Sequence, residues 1–236
     1  MKTYSMTNNL TQKTIFAAAT SFMMLALLCG SFFVLEPQIS YGQADTRDFF
    51  IRQTITPETS FLVDAQNVTM PGGGISGLTG GTATGTTQFV VRSNNASGYY
   101  VEIDYFDNAG PHAMRGDEDG GAQIRDYFLG AGTPTFNMTA STAAQFAYSV
   151  HSSTTADTAQ AFKYTGSACN SGSTNTVGKC WKSPSTSPVQ VVNRTTAATN
   201  GATTTLYFKV NVPSNANPAP TAQTYTATAT LSVFIQ

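Results

Sequence analysis

Thr224-Tyr225-Thr226-Ala227-Thr228-Ala229-Thr230-Leu231-Ser232-Val233-Phe234-Ile235 is the stretch whose reading decides the fold. Every second residue from Tyr225 to Ile235 is apolar, and Thr or Ser fills most of the gaps. Side chains of a β-strand alternate between two faces, so this period of two predicts a strand with one face in a core and the other in water. It places Ala227, Ala229, Leu231, Val233 and Ile235 toward the core.

The same pattern recurs upstream. Phe49 to Ile55 and Phe61 to Val63 flank Pro57 and are predicted as the first two strands. Thr86 to Arg92 and Tyr99 to Phe106 alternate on either side of an Asn- and Gly-containing turn, a hairpin signal. Further strands are predicted at 135–139, 146–150, 161–164, 189–193 and 206–212. The Gly- and Thr-rich text from Pro71 to Gly85 reads as a loop or loosely paired edge. Residues 107–134 and 151–188 read as two long loops, the first relieved only by the apolar piece Ile124 to Leu129. No segment sustains a 3.6-residue period, and roughly one residue in six after position 44 is Thr, a β-branched residue suited to a wet pleated surface. The expected fold is all-β: an antiparallel β-sandwich, immunoglobulin-like or jelly-roll, of roughly eight to ten strands.

The first 44 residues form a separate segment. Lys2 and Lys13 precede an apolar run from Ile15 to Leu35, and Gly42, Gln43 and Ala44 supply the small residues of a cleavage site before Asp45. This is the three-part layout of a secretory signal peptide. The competing reading is an uncleaved membrane anchor, since about 20 apolar residues can span a bilayer. Leu28 stands before Cys29 where a lipoprotein signal requires a small residue, which argues against a lipid anchor. Residues 45–236 then make one β domain, large enough to need no cofactor for stability. They carry ten Lys or Arg against twelve Asp or Glu, which removes the positive field that nucleic acids or anionic membranes require.

Cys169 and Cys180 are the two cysteines left after cleavage, and an even count in an exported chain reads as a disulfide. Two thiols without neighbouring His or Cys cannot complete a zinc site. Gly72, Gly74 and Gly77 match a dinucleotide-binding spacing, but Pro71 before them and the Gly/Thr text after them remove the strand and helix that give it chemistry. Neither an H-E-x-x-H pair nor a G-x-S-x-G elbow occurs, so no enzyme is expected. Asp104, Asp107, Asp117 and Asp119 are candidates for a calcium clip, weighed against an ordinary solvated acidic loop. Trp181, flanked by Lys179 and Lys182 on the disulfide loop, is the candidate contact for a glycan or protein, weighed against a ring that covers the disulfide and the sheet end. Asn67, Asn95, Asn137 and Asn193 each satisfy N-x-S/T, matches that a Thr- and Ser-rich chain also makes by chance.

Residues 87–100, with Asn94-Asn95-Ala96-Ser97-Gly98-Tyr99-Tyr100, and the ending from Pro220 to Gln236 resemble secreted immunoglobulin-like β-sandwich proteins of prokaryotic cell surfaces, including WxL-like and pilin-like modules. The Trp-x-Leu signature itself is absent. The resemblance implies a structural or adhesive role with no cofactor. The expectation is therefore an exported, non-enzymatic protein, secreted or at the cell surface. Phe49 to Ile55 is expected to pair within its own sandwich; the competing reading is that the segment Asp45 to Ile55 leaves its domain and adds to a neighbour's sheet, so that copies assemble by strand exchange. The alternative is a secreted glycan- or protein-binding module.

Overall fold

The computed structural model describes residues 7–34, 49–71, 74–106, 112–139 and 142–236. The chain divides into two units, Met1–Gln53 and Thr54–Gln236. In the first, α1 runs over Thr7–Val34, and no helix among the described residues is long and apolar enough to cross a membrane. The expected cleavage residues 42–44 lie outside the described residues.

The second unit is built from strands. In chain order they are β1 (Thr59–Val63), β2 (Gly81–Ser93), β3 (Tyr99–Tyr105), β4 (Met114–Gly116), β5 (Gln123–Asp126), β6 (Gln145–Ser152), β7 (Tyr164–Thr165), β8 (Ala168–Cys169), β9 (Val189–Arg194), β10 (Ala198–Val212), β11 (Tyr225–Ala227) and β12 (Ala229–Ile235). A seven-stranded sheet has the order β1-β2-β10-β6-β5-β4-β11, and a three-stranded sheet has the order β12-β3-β9. Strands β7 and β8 pair by themselves. All pairs are antiparallel except β5 with β6, which is parallel.

Both larger sheets feed one core, an arrangement compatible with a β-sandwich. Phe89 and Val91 of β2, Phe146, Tyr148 and Val150 of β6, and Leu206 and Val210 of β10 meet Val101 and Ile103 of β3 and Val191 and Val192 of β9. Phe61 of β1 meets Phe89 edge-on, with ring centroids 5.8 Å apart. β2 and β3 do not form the expected hairpin: they lie in different sheets, and the turn that carries the chain from one to the other passes through Gly98, at φ +87°, where a Cβ would stand 1.8 Å from the Arg194 carbonyl oxygen. Only glycine fits there, because the turn demands both a left-handed backbone and a close approach.

Several strand expectations need correction. Residues 49–58 carry no strand, and Phe49, Phe50, Ile51 and Ile55 are 80–87% exposed. The Gly- and Thr-rich residues 81–85 belong to β2, because β10 supplies a full partner from Val212 back to Ala198, and ladder bonds outweigh weak intrinsic propensity. The expected loop 107–134 contains β4 and β5, which extend the larger sheet. Residues 135–139 form no strand; only Thr135 bridges, to Trp181. The terminal run is two strands: β11 pairs with β4 in one sheet and β12 with β3 in the other. Its apolar face is accordingly not fully buried. Ala227, Leu231 and Val233 are half-buried against the core, whereas Ala229 and Ile235 are exposed.

Two titrating features mark the ends of the core. Arg194 pairs with the buried Asp157 at 2.5 Å and donates to the Ala197 carbonyl, and burial beside them pushes the Tyr99 hydroxyl up to about 12. At the β4–β5 end, the Asp126 backbone N–H donates to His112 Nδ1 while Asp126 Oδ1 accepts from the Ala113 N–H. A nitrogen that accepts a hydrogen bond cannot hold a proton, and burial together with Arg125 and Arg115 lowers the His112 pKa.

Replacing Phe89 with Ala should cost about 3–5 kcal/mol of stability through the cavity it leaves. Thr86→Ala, on the exposed face of the same strand, should change it by less than about 0.5 kcal/mol. Urea denaturation of both variants measures the difference. Because the unfolded chain takes up the His112 proton more readily than the folded one, this residue's contribution is complete above pH ~6.5 and declines as the pH falls below it. Thermal melts between pH 7.5 and 5 should show a shallower fall for His112→Gln than for the parent.

Candidate assembly edge and the disulfide loop

The disulfide loop was the first candidate for binding, and its geometry follows from covalent closure. Cys169 and Cys180 are joined with an S–S distance of 2.07 Å across 11 positions of sequence, and Cys180 is buried. The bond holds the next residue, Trp181, against the larger sheet, where it is 5% exposed among Tyr127, Met138, Ala147 and Tyr207. Its backbone exchanges both hydrogen bonds with Thr135.

The lysines around it are engaged in the same way. Lys179 Nζ donates to Asn137 Oδ1 at 3.0 Å and stands 4.5 Å from the centre of the Phe136 ring. Lys182 Nζ donates to the Gly132 carbonyl at 2.8 Å, and Lys209 Nζ to the Met138 carbonyl at 3.0 Å while lying 5.6 Å from the Trp181 ring centre. Burial lowers the pKa of Lys182, and burial with the charge of Lys179 lowers that of Lys209. Three ammonium groups thus tie residues 132–138 across the sheet. Of the two readings of Trp181, the structure has the ring that packs on the sheet, and Lys179 and Lys182 hold their own chain.

Of the described acidic candidates, Asp104 lies on a different element from Asp117 and Asp119. Asp104 lies on β3 opposite Thr230 of β12, on the face turned away from the core. Asp117 and Asp119 lie in the β4–β5 turn, where Asp119 Oδ1 accepts the Gly121 N–H and Gln223 Oε1 accepts the N–H groups of Glu118 and Asp119. Asp107 lies outside the described residues. Among the described residues, no group of three or more His, Cys, Asp or Glu is placed to hold a metal ion.

The third feature escaped the sequence reading. β12 ends its sheet, with β3 on one side and, among the described residues, no strand paired on the other. Phe106 N–H donates to the Thr228 carbonyl and Gln236 N–H to the Gly98 carbonyl, so Thr228 and Gln236 fix the parity of the ladder. Alternate residues of an antiparallel strand point their polar backbone groups to opposite sides. The N–H and C=O groups of Ala229, Leu231, Val233 and Ile235 therefore face away from β3. β1, which ends the larger sheet, lies beside β12 without pairing to it. This seam carries half-buried Phe61, Leu231 and Val233 and the exposed Leu62, Val63 and Ile235. The apolar alternation near the terminus was the available signal; what it could not reveal is which flank of the strand stays unpaired.

No family model matches the chain, and a search of curated proteins found none similar to it.

Closing a loop of this length by the disulfide should contribute about 3 kcal/mol. Urea transitions with and without reductant should separate by that amount. Non-reducing digestion should yield the peptides of Cys169 and Cys180 as one linked mass.

Proposed function

We propose that this is an exported, non-enzymatic structural protein of the cell surface that assembles with copies of itself by strand addition. In this reading the second unit is a pilin-like, immunoglobulin-like or jelly-roll sandwich, and the first carries a signal peptide removed before Asp45. The Cys169–Cys180 bond supports an oxidising compartment outside the cytosol.

One observation carries the assembly. Among the described residues β12 has an unpaired flank over half-buried Leu231 and Val233, and the same chain holds an exposed stretch with Phe49, Ile51 and Ile55 on one face, interrupted by Gln53. An added strand satisfies the backbone groups of both partners and lays every second side chain along the seam. Side chains two positions apart on a strand are spaced about 6.6–6.8 Å, so Phe49 and Ile51 of one copy match the spacing of Leu231 and Val233 of the next. Because donor and acceptor are different surfaces, the contact is head-to-tail and propagates as a filament unless it closes into a ring. The alternative of a glycan- or protein-binding module loses its named contacts, since Trp181 is buried.

Light scattering and electron microscopy of the chain from Asp45 should show concentration-dependent assemblies. A chain starting at Thr56 should remain folded, by circular dichroism, and monomeric. Ile51→Asp in the longer chain should also be monomeric, since it would place a carboxylate in an apolar seam. A monomer at high concentration for the chain from Asp45 overturns the reading.

A further inference from the structure

The four N-x-S/T matches put their asparagines in four different settings, and the differences are chemical. Asn95 Nδ2 donates to the Gly98 carbonyl at 2.7 Å and to the Gln236 carbonyl at 2.9 Å, so both of its hydrogens are used. A sugar on that nitrogen would replace one of them and break the β2–β3 turn or its link to residue 236. Asn193 sits within β9, and its Oδ1 accepts from Gln236 Nε2. Asn137 is held by Lys179 at Oδ1, and its backbone carbonyl accepts from the hydroxyls of Tyr127 and Thr135.

Asn67 differs from all three. It lies in the irregular connection between β1 and β2, and both Asn67 and Thr69 are exposed. Their neighbours Val68 and Met70 turn inward over Gly85, where an added Cβ would meet Val68 Cγ1 at 2.4 Å and Met70 Cγ at 3.2 Å. The two residues an N-glycosylating transferase reads, Asn and Thr two positions apart, are thus presented together while the residues between and after them anchor the chain. Among the described residues, neither side chain takes part in a hydrogen bond.

We propose that Asn67 is an N-glycosylation site, carrying an oligosaccharide on Nδ2. The donor class is a polyprenyl-phosphate-linked oligosaccharide. Asn67 Nδ2 bonds to the anomeric carbon of the first sugar, that carbon's bond to the phosphate oxygen breaks, the phosphorylated lipid leaves, and one amide proton is released. The inference rests on export from the proposed function but not on strand addition, so the two fail separately.

Trypsin puts each match in its own peptide: 53–92 for Asn67, 93–115 for Asn95, 126–163 for Asn137 and 183–194 for Asn193. In protein purified from the surface of the cells that make it, mass spectrometry should find a glycan on peptide 53–92 and none on 93–115 or 183–194. Asn67→Gln and Thr69→Ala should each remove it, while Thr69→Ser should keep it. An unmodified 53–92 peptide, or a glycan confined to any of the other three, overturns the assignment.

Discussion

The run from Tyr225 to Ile235 binds both sheets to one another through a single length of backbone. β11 pairs with β4 in the larger sheet, and one residue later β12 pairs with β3 in the smaller. The crossing residue, Thr228, keeps its carbonyl satisfied by the Phe106 N–H at 2.9 Å. A strand that changes sheets makes a corner, and it ties the two layers without a loop whose backbone would need separate partners. The same ladder fixes the parity of β12, and parity decides which of its residues expose polar backbone on the open flank. Corner and open edge are two consequences of one register.

The interior of the larger sheet leaves little freedom elsewhere. β10 is 15 residues long, with β2 on one side and β6 on the other. It recruits Gly81 to Gly85 into a strand, although their composition argues for a loop. It also presents Lys209 and Tyr207 on the face away from the core, where Trp181 and the segment ending at Met138 settle. Long loops on a sheet face must bring their own polar partners, and here lysine ammonium groups supply them to carbonyls of residues 132 and 138.

The sequence was legible where the period of two coincided with burial. Phe89 and Val91, Val101 and Ile103, and Phe146 to Val150 alternate in the chain and face the core as the pattern requires. It was misleading where apolar alternation had no partner strand. Phe49 to Ile55 puts Phe49, Ile51 and Ile55 on one face of an extended chain, yet it carries no strand and remains exposed. Alternation states that a segment suits a sheet, not which sheet or whose. Partnership across more than a hundred residues, such as Thr87 with Leu206, is a property of topology and leaves no local mark. Trp181 left two readings open for a related reason. Its neighbours Lys179 and Lys182 suggest a surface, but the Cys180 bond and the Thr135 bridge turn the ring inward and leave the lysines to cap a neighbouring segment.

An open edge ordinarily invites aggregation, and soluble proteins blunt it with charge, proline or a bulge. β12 has none of these: its seven residues are Ala, Thr, Leu, Ser, Val, Phe and Ile. Its outer face adds Phe234, stacked on Tyr100 with ring centroids 5.0 Å apart. β1, its neighbour across the seam, does carry a register irregularity against β2 between Phe61 and Val63, the kind of feature that interrupts regular pairing. The protection is therefore one-sided: β1 is distorted against further pairing, while β12 is left regular and apolar. In the proposed assembly, an edge so arranged would take a single added strand, seated on β12 and bounded by β1, in preference to open-ended stacking of whole sheets. The segment around Phe49 and Ile51 has the apolar spacing for that position, and Pro57 after it stops the extended stretch from running on into β1.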